Sequence, residues 1–121
     1  MISVRKSGDC EKEEITDLEG AKNVEKEVLL GSEEGVESFA MRRFTLNGNG
    51  NTPFHGHDWE HEVYVLSGRG KIRTKDEERE LSAGDAIYVP SNEKHQLVSD
   101  REGLTFLCLV PKRGEPTTST G

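Results

Sequence analysis

The four histidines of this 121-residue chain fall in two short windows, and none lies elsewhere. The first window reads His55-Gly56-His57-Asp58-Trp59-Glu60-His61, the second Pro90-Ser91-Asn92-Glu93-Lys94-His95. Imidazole is the commonest protein ligand for transition metals, so the grouping points to a mononuclear metal site on His55, His57, His61 and His95. Taken singly, each would pass for an ordinary polar residue of a loop or strand. Side chains two apart on a strand share a face, so His55 and His57 project together across Gly56. Further along, His61, Val63 and Val65 form one face, and Glu62, Tyr64 and Leu66 the other. The first set joins a histidine to two β-branched apolar residues, which suits an inward face. The tight loop Asp58-Trp59-Glu60 returns His61 beside the first pair, and His95 arrives opposite from a more distant strand. Glu62 then faces away, either as support for a ligand or in a surface salt bridge.

Four neutral imidazoles without a carboxylate leave a divalent ion its full charge. In an octahedral sphere two adjacent positions stay open for water or a bidentate ligand. Intrinsic affinity for such a donor set favours Cu2+, Ni2+ or Zn2+ over Mn2+ and Fe2+. Other chemistries find no support. No serine sits in a G-x-S-x-G context, and no carboxylate pair is singled out for acid–base work. Gly68-Arg69-Gly70 lacks the third glycine and the helix of a dinucleotide loop, so it reads as a turn.

The elements that must position these histidines read as strands. Short apolar stretches, several alternating, recur between turn signals, the pattern of an all-β domain. The expected strands cover residues 25–30, 36–46, 54–57, 61–67, 71–74, 79–81, 86–89, 95–98 and 104–110. Turns are expected at Asn47-Gly48-Asn49-Gly50, Ser67-Gly68-Arg69-Gly70, Ala83-Gly84-Asp85 and Ser99-Asp100-Arg101-Glu102-Gly103; residues 17–21 hold a helical turn or nothing. Many short strands protect their edges by closing or stacking, which predicts a double-sheet jelly roll or barrel.

A chain of this length is one domain. Both ends contribute to its leanness in apolar residues, 31% against 32% charged. The leader (residues 1–23) is expected to be loosely packed and the tail (112–121) flexible, around a barrel of residues 24–111. The net charge of −7, with no basic stripe, argues against nucleic acid as a partner. No apolar run reaches the roughly 18–20 residues needed to cross a bilayer, and no apolar stretch follows the N-terminal Arg5-Lys6 as in a signal peptide, so a cytoplasmic location is expected. Cys10 and Cys108 are expected to be free thiols.

The two windows resemble the paired signatures of the cupin superfamily. His55-Gly56-His57, three residues, His61, then six residues to Gly68 matches the first; Gly84, five residues, Pro90-Ser91-Asn92, two residues, His95 matches the second. Within the first pattern the usual glutamate ligand falls on His61, not Glu62, when counted back from Gly68. Asn49, Asn92 and Ser99 replace a glycine, a glycine and an asparagine of the signatures, and no ligand is lost. The run from Lys22 to Pro111 is similar to small manganese-binding cupins with a four-histidine site. That resemblance implies a double-stranded β-helix (the jelly-roll cupin barrel), a divalent metal with Mn2+ favoured and Fe2+ plausible, and a homodimer in which residues 25–30 pair across subunits.

By the same resemblance Phe106 and Cys108 border the metal pocket. Cys108 is then either a thiol open to oxidation beside the metal or a small buried hydrophobe. Trp59 shapes the entrance or covers the barrel mouth. Arg42 and Arg43 lie on opposite faces of one strand, so one could turn inward toward an anionic substrate; surface or inter-subunit pairing is the favoured expectation. Function is expected to be dioxygenase-like oxidation of a small organic substrate. The alternatives are a non-redox isomerase, lyase or decarboxylase, or a non-catalytic small-molecule binding module.

Overall fold

A computed structural model describes residues 2–15 and 19–115. Seven strands form in chain order: β1 (Lys12–Glu14), β2 (Lys22–Leu30), β3 (Phe39–Asn51), β4 (His61–Thr74), β5 (Glu78–Ser82), β6 (Ala86–Val89) and β7 (His95–Pro111). All pairings are antiparallel, in the order β1-β2-β3-β7-β4-β5, with β6 on the free side of β4. The connections among described residues are turns, short 3-10 segments and irregular loops, and none of the described helices is long and apolar enough to cross a membrane. The architecture is the all-β jelly roll expected from the sequence.

β7 is the spine. Its second half pairs with β3 on one side and the first half of β4 on the other, while its first half pairs with the second half of β4. β4 and β7 therefore bend together and carry the sheet from one layer to the other. The bends fall at three of the expected turns, and this is a correction. The stretches at 47–50, 67–70 and 99–103 do not reverse the chain; they are irregular bends inside β3, β4 and β7. Only Ala83-Gly84-Asp85 links two separate strands. Sequence alone could not separate the cases, because bulges and turns draw on the same residues. Gly68 (φ 88°) and Gly103 (φ 100°) occupy the left-handed region, and a Cβ on Gly68 would overlap the Gly103 carbonyl oxygen.

The bends also preserve the core. In β4 the buried positions are His61, Val63 and Val65 before the irregularity and Ile72 after it, so parity switches from odd to even. β7 does the same, from His95, Leu97 and Ser99 to Leu104, Phe106, Cys108 and Val110. A strand that bent without this slip would turn its apolar side to water.

Four further expectations change. Residues 54–57 form no strand; His55 makes only an isolated bridge with His95, through reciprocal backbone bonds of 3.2 and 3.1 Å. The leader is not wholly loose, because β1 pairs with β2 and Cys10 and Ile15 are buried; residues 16–18 lie outside the described residues. Nor is the tail free throughout, since Gly114 and Glu115 are buried. The edge of β2 offered for pairing across subunits is partly taken within the chain. β1 covers Glu25, Lys26 and Glu27, and the Arg5 guanidinium donates to the carbonyls of Val28 and Leu29. Cys10 and Cys108 are free and buried.

Candidate metal centre

His61 opens β4 on its inner face and pairs with Val89 of β6, and His95 opens β7. The isolated bridge sets His55 beside His95. The His57 carbonyl accepts from the Asn92 N–H at 2.5 Å, with Asn92 in the left-handed conformation (φ 67°). The two sequence windows are thus joined backbone to backbone. Gly56 runs against this join: a Cβ there would lie 3.2 Å from the Asn92 carbonyl oxygen.

The four rings converge on one cavity. Centroids are 4.4 Å apart for His55–His57, 5.2 Å for His57–His61, 5.3 Å for His61–His95 and 6.4 Å for His55–His95. An imidazole nitrogen sits about 2.1 Å from a bound ion, which puts ring centres about 4.5 Å apart for neighbours and about 6.4 Å apart for opposite ligands. The observed spacings span that range. Among the described residues, no three His, Cys, Asp or Glu side chains are already closed around a point that could hold an ion.

The donor chemistry also fits a metal. His95 Nδ1 donates to the Glu93 carbonyl at 2.8 Å, which leaves Nε2 as the lone-pair nitrogen. His61 Nδ1 lies 3.4 Å from Cys108 Sγ, and its Nε2 is buried with no hydrogen-bond partner among the described residues. Burial first, then neighbouring positive groups, pushes the His61 pKa down to about 3 and that of His57 to about 4; His55 is lowered too, by burial and then His95. These three rings are neutral at pH 7, the form that ligates.

The cavity between them holds about 60 Å³ and is lined by Arg42, Phe44, Val63, Phe106 and Cys108 along with the histidines. Phe44 and Phe106 stack at 5.4 Å, and the Arg42 guanidinium lies 5.0 Å from the Phe44 ring centre. Trp59 is not among the lining residues. It stacks flat on His57, centroids 4.6 Å apart, and the Arg113 guanidinium covers it at 5.6 Å while pairing with Asp58. It buttresses a candidate ligand from behind. Glu62 is exposed on the outer face, opposite Tyr88.

Arg42 departs from the favoured surface pairing. It is buried on the inner face, donating to Cys108 Sγ at 3.0 Å and to Glu115 Oε1 at 3.3 Å. The same carboxylate oxygen lies 2.8 Å from Lys26 Nζ, so one buried anion meets two buried cations. Lys26 and Glu115 escaped the sequence reading. Lys26 does alternate with Val24 and Val28, but an inward lysine is tolerable only if paired, and its partner lies in the segment expected to be flexible.

A family model for the cupin domain matches residues 42–110. Among solved structures, the chain is similar to the polyketide cyclase RemF from Streptomyces resistomycificus, at 32% identity over 93% of this chain and 80% of that one, with TM-score 0.86. It is similar at 26% identity to a predicted oxalate decarboxylase from Thermotoga maritima, over 90% of this chain and 98% of that one, TM-score 0.77. A sugar phosphate isomerase from Silicibacter pomeroyi, at 17% identity over 90% and 75% and TM-score 0.79, shares the fold. No curated protein sequence matches the chain.

Proposed function

Because the chain belongs to the cupin family, whose model spans residues 42–110, we propose that its barrel is a metal-dependent enzyme in which His55, His57, His61 and His95 hold one divalent ion and a small carbonyl compound reacts without oxygen. The observation that carries this reading is the unpartnered, buried Nε2 of His61 in a cavity shared with three more imidazoles. A buried polar atom left unpaired costs about 1–3 kcal/mol, and a bound cation removes that penalty. Mn2+ is the ion implied by the resemblance to four-histidine cupins, whereas the intrinsic affinity of an all-nitrogen donor set favours Zn2+, Ni2+ or Cu2+. When bound, the ion supplies a Lewis acid that polarises a carbonyl oxygen.

The chain's own groups do the rest. Phe44, Phe106 and Val63 keep water from the reacting atoms, and the neutral imidazoles leave positive charge undiluted. A volume of about 60 Å³ falls well below the roughly 300–1,000 Å³ of drug-sized pockets. The substrate is therefore small, or inserts only its reacting end.

The similarity to a polyketide cyclase favours this non-redox reading over the dioxygenase-like one. Closing a polycarbonyl chain joins an activated methylene to a carbonyl carbon and releases water, with no electron acceptor. A homodimer belongs to the same reading. With the β2 edge partly taken within the chain, the outer face bearing exposed Tyr64, Leu66 and Tyr88 offers the apolar contact.

The test is elemental analysis of untagged protein, followed by turnover of small 1,3-dicarbonyls with and without oxygen. One divalent ion per chain and oxygen-independent turnover supported by Zn2+ are expected. Oxygen uptake strictly requiring Mn2+ or Fe2+ would restore the dioxygenase-like reading, and a chain without bound metal would overturn both.

A further inference from the structure

The charge buried beside the imidazoles does not balance. Lys26 and Arg42 are 1% and 2% exposed, and the carboxylate they share, Glu115, is 4% exposed. Among the described residues the three groups sum to one positive charge; half-buried Glu13 lies opposite Lys26 on β1 but forms no ion pair with it. Glu27, also buried, lies on the opposite face of β2, where Ser7 donates to it. Among the described residues, the remaining cavity lining consists of apolar side chains, Thr52, Cys108 and the histidines, and no carboxylate is part of it.

Arg42 is the member of the trio that lines the cavity. A guanidinium carries five N–H donors. Nη1 spends one on Glu115 and Nη2 one on the thiol sulfur of Cys108, a weak acceptor, while Nε is buried with no partner among the described residues. The Glu115 oxygen lies closer to Lys26 Nζ (2.8 Å) than to Arg42 Nη1 (3.3 Å), although only the Arg42 contact has hydrogen-bond geometry. One positive charge of the trio is left over, and Arg42, its member at the cavity, keeps N–H donors in reserve. Its place is fixed by pairing: Arg42 is opposite Cys108, which is opposite Val63, so the row lies two residues along β4 from His61.

We propose that Arg42 is the specificity-determining residue of this cavity, and that it selects substrates carrying an anionic oxygen, a small carboxylate or an enolate. The proposal rests on the reading of the cavity as the active site and adds the substrate's charge to it. Phe44 holds the guanidinium against its ring face, and Glu115 sets how much of the charge is available. Glu115 is a positioning residue here, acting through Arg42.

The experiment compares an isosteric pair of probes, pyruvate and its neutral amide pyruvamide, by calorimetry on the full chain, metal-free and metal-loaded. The metal-free arm isolates the protein's own charge. The metal-free chain is expected to bind pyruvate more tightly. Arg42→Met removes that preference by about 10- to 100-fold, the range for a hydrogen bond to a charged group. Arg42→Lys keeps the charge but not the fork, and falls between. Glu115→Gln keeps shape and acceptor while removing the competing anion, so it tightens pyruvate several-fold and leaves pyruvamide unchanged. A merely structural Arg42 predicts the reverse, with both probes weakened alike in Glu115→Gln. Equal binding of the two probes by the metal-free chain, or a pyruvate preference that survives Arg42→Met, overturns the proposal. Should Arg42→Met or Glu115→Gln fail to fold, Arg42→Lys decides: a pyruvate preference equal to that of the unaltered chain overturns the proposal. Metal content, measured in parallel, separates the two readings: an Arg42-dependent preference in a chain that never retains metal sinks the metal centre and leaves this inference standing.

Discussion

Replacing Glu115 by alanine should unsettle the barrel far more than its position near the end of the chain suggests. The carboxylate is 4% exposed and sits 2.8 Å from Lys26 Nζ and 3.3 Å from Arg42 Nη1, cations that are 1% and 2% exposed. At an effective dielectric constant of about 20 the two attractions come to about 6 and 5 kcal/mol. Most of that is offset by the desolvation of three charged groups. What remains after one partner is removed is the penalty of uncompensated buried charge, about 3–5 kcal/mol. For a domain of this length each kcal/mol moves the midpoint by about 3–6 °C, so Glu115→Ala should lower Tm by about 10–25 °C. Thermal unfolding followed by circular dichroism reads this directly. Arg113→Ala, which breaks an ion pair exposed at 59% and 71% and a ring contact to Trp59, is the control, with an expected loss of about 1 kcal/mol. A triple replacement of Lys26, Arg42 and Glu115 by Met, Met and Leu should recover most of the stability, because apolar groups of similar volume carry no desolvation penalty. A Tm drop below about 3 °C for Glu115→Ala would refute the reasoning and return the carboxylate to solvent.

Three more outcomes follow from the geometry. In the metal-free chain, the folded-state pKa values of His61 (about 3) and His57 (about 4) lie below an unfolded value near 6.5. The unfolded chain therefore gains protons first: stability is full above pH 6.5 and falls as pH drops toward 3, with a slope of up to about 1.4 kcal/mol per pH unit from buried His61. Urea midpoints at pH 7.5, 6 and 5 check this, and equal midpoints would contradict it. Gly68→Ala, at φ 88° and against the Gly103 carbonyl, should cost at least about 2 kcal/mol, whereas Gly84→Ala, at φ 94° in open space, should cost only about 1; matching losses would mean the β4 bend does not need its glycine. The single tryptophan, Trp59, stacks on His57 at 4.6 Å, so titrating Mn2+ or Ni2+ into metal-free protein should change its fluorescence saturably. His57→Ala should abolish the response, and an unchanged titration in that variant would remove His57 from the ligand set.

The strand and glycine chemistry of the chain determined the fold class without help from tertiary contacts. Period-two alternation in His61, Val63, Val65 and in Leu104, Phe106, Cys108, Val110 marks an inner face wherever it occurs, because neighbouring Cβ atoms of a strand point opposite ways. The same local rule put Glu62 outside, and the grouping of histidines made them candidates. Three things waited for the fold. Whether a glycine-rich stretch reverses the chain or bends a continuing strand depends on which partner strand lies alongside, and β4 and β7, which bend together, are distant in sequence. The facing of Arg42 was open on parity alone, since a charged side chain turns inward only when a counter-charge is supplied, and Glu115 comes from 73 residues away. The role of Trp59 was likewise undecided until the ring stack with His57 and the cover from Arg113 came into place. Periodicity is a property of one segment. Electrostatic compensation and ring stacking are properties of segments meeting, and only the folded chain makes them meet.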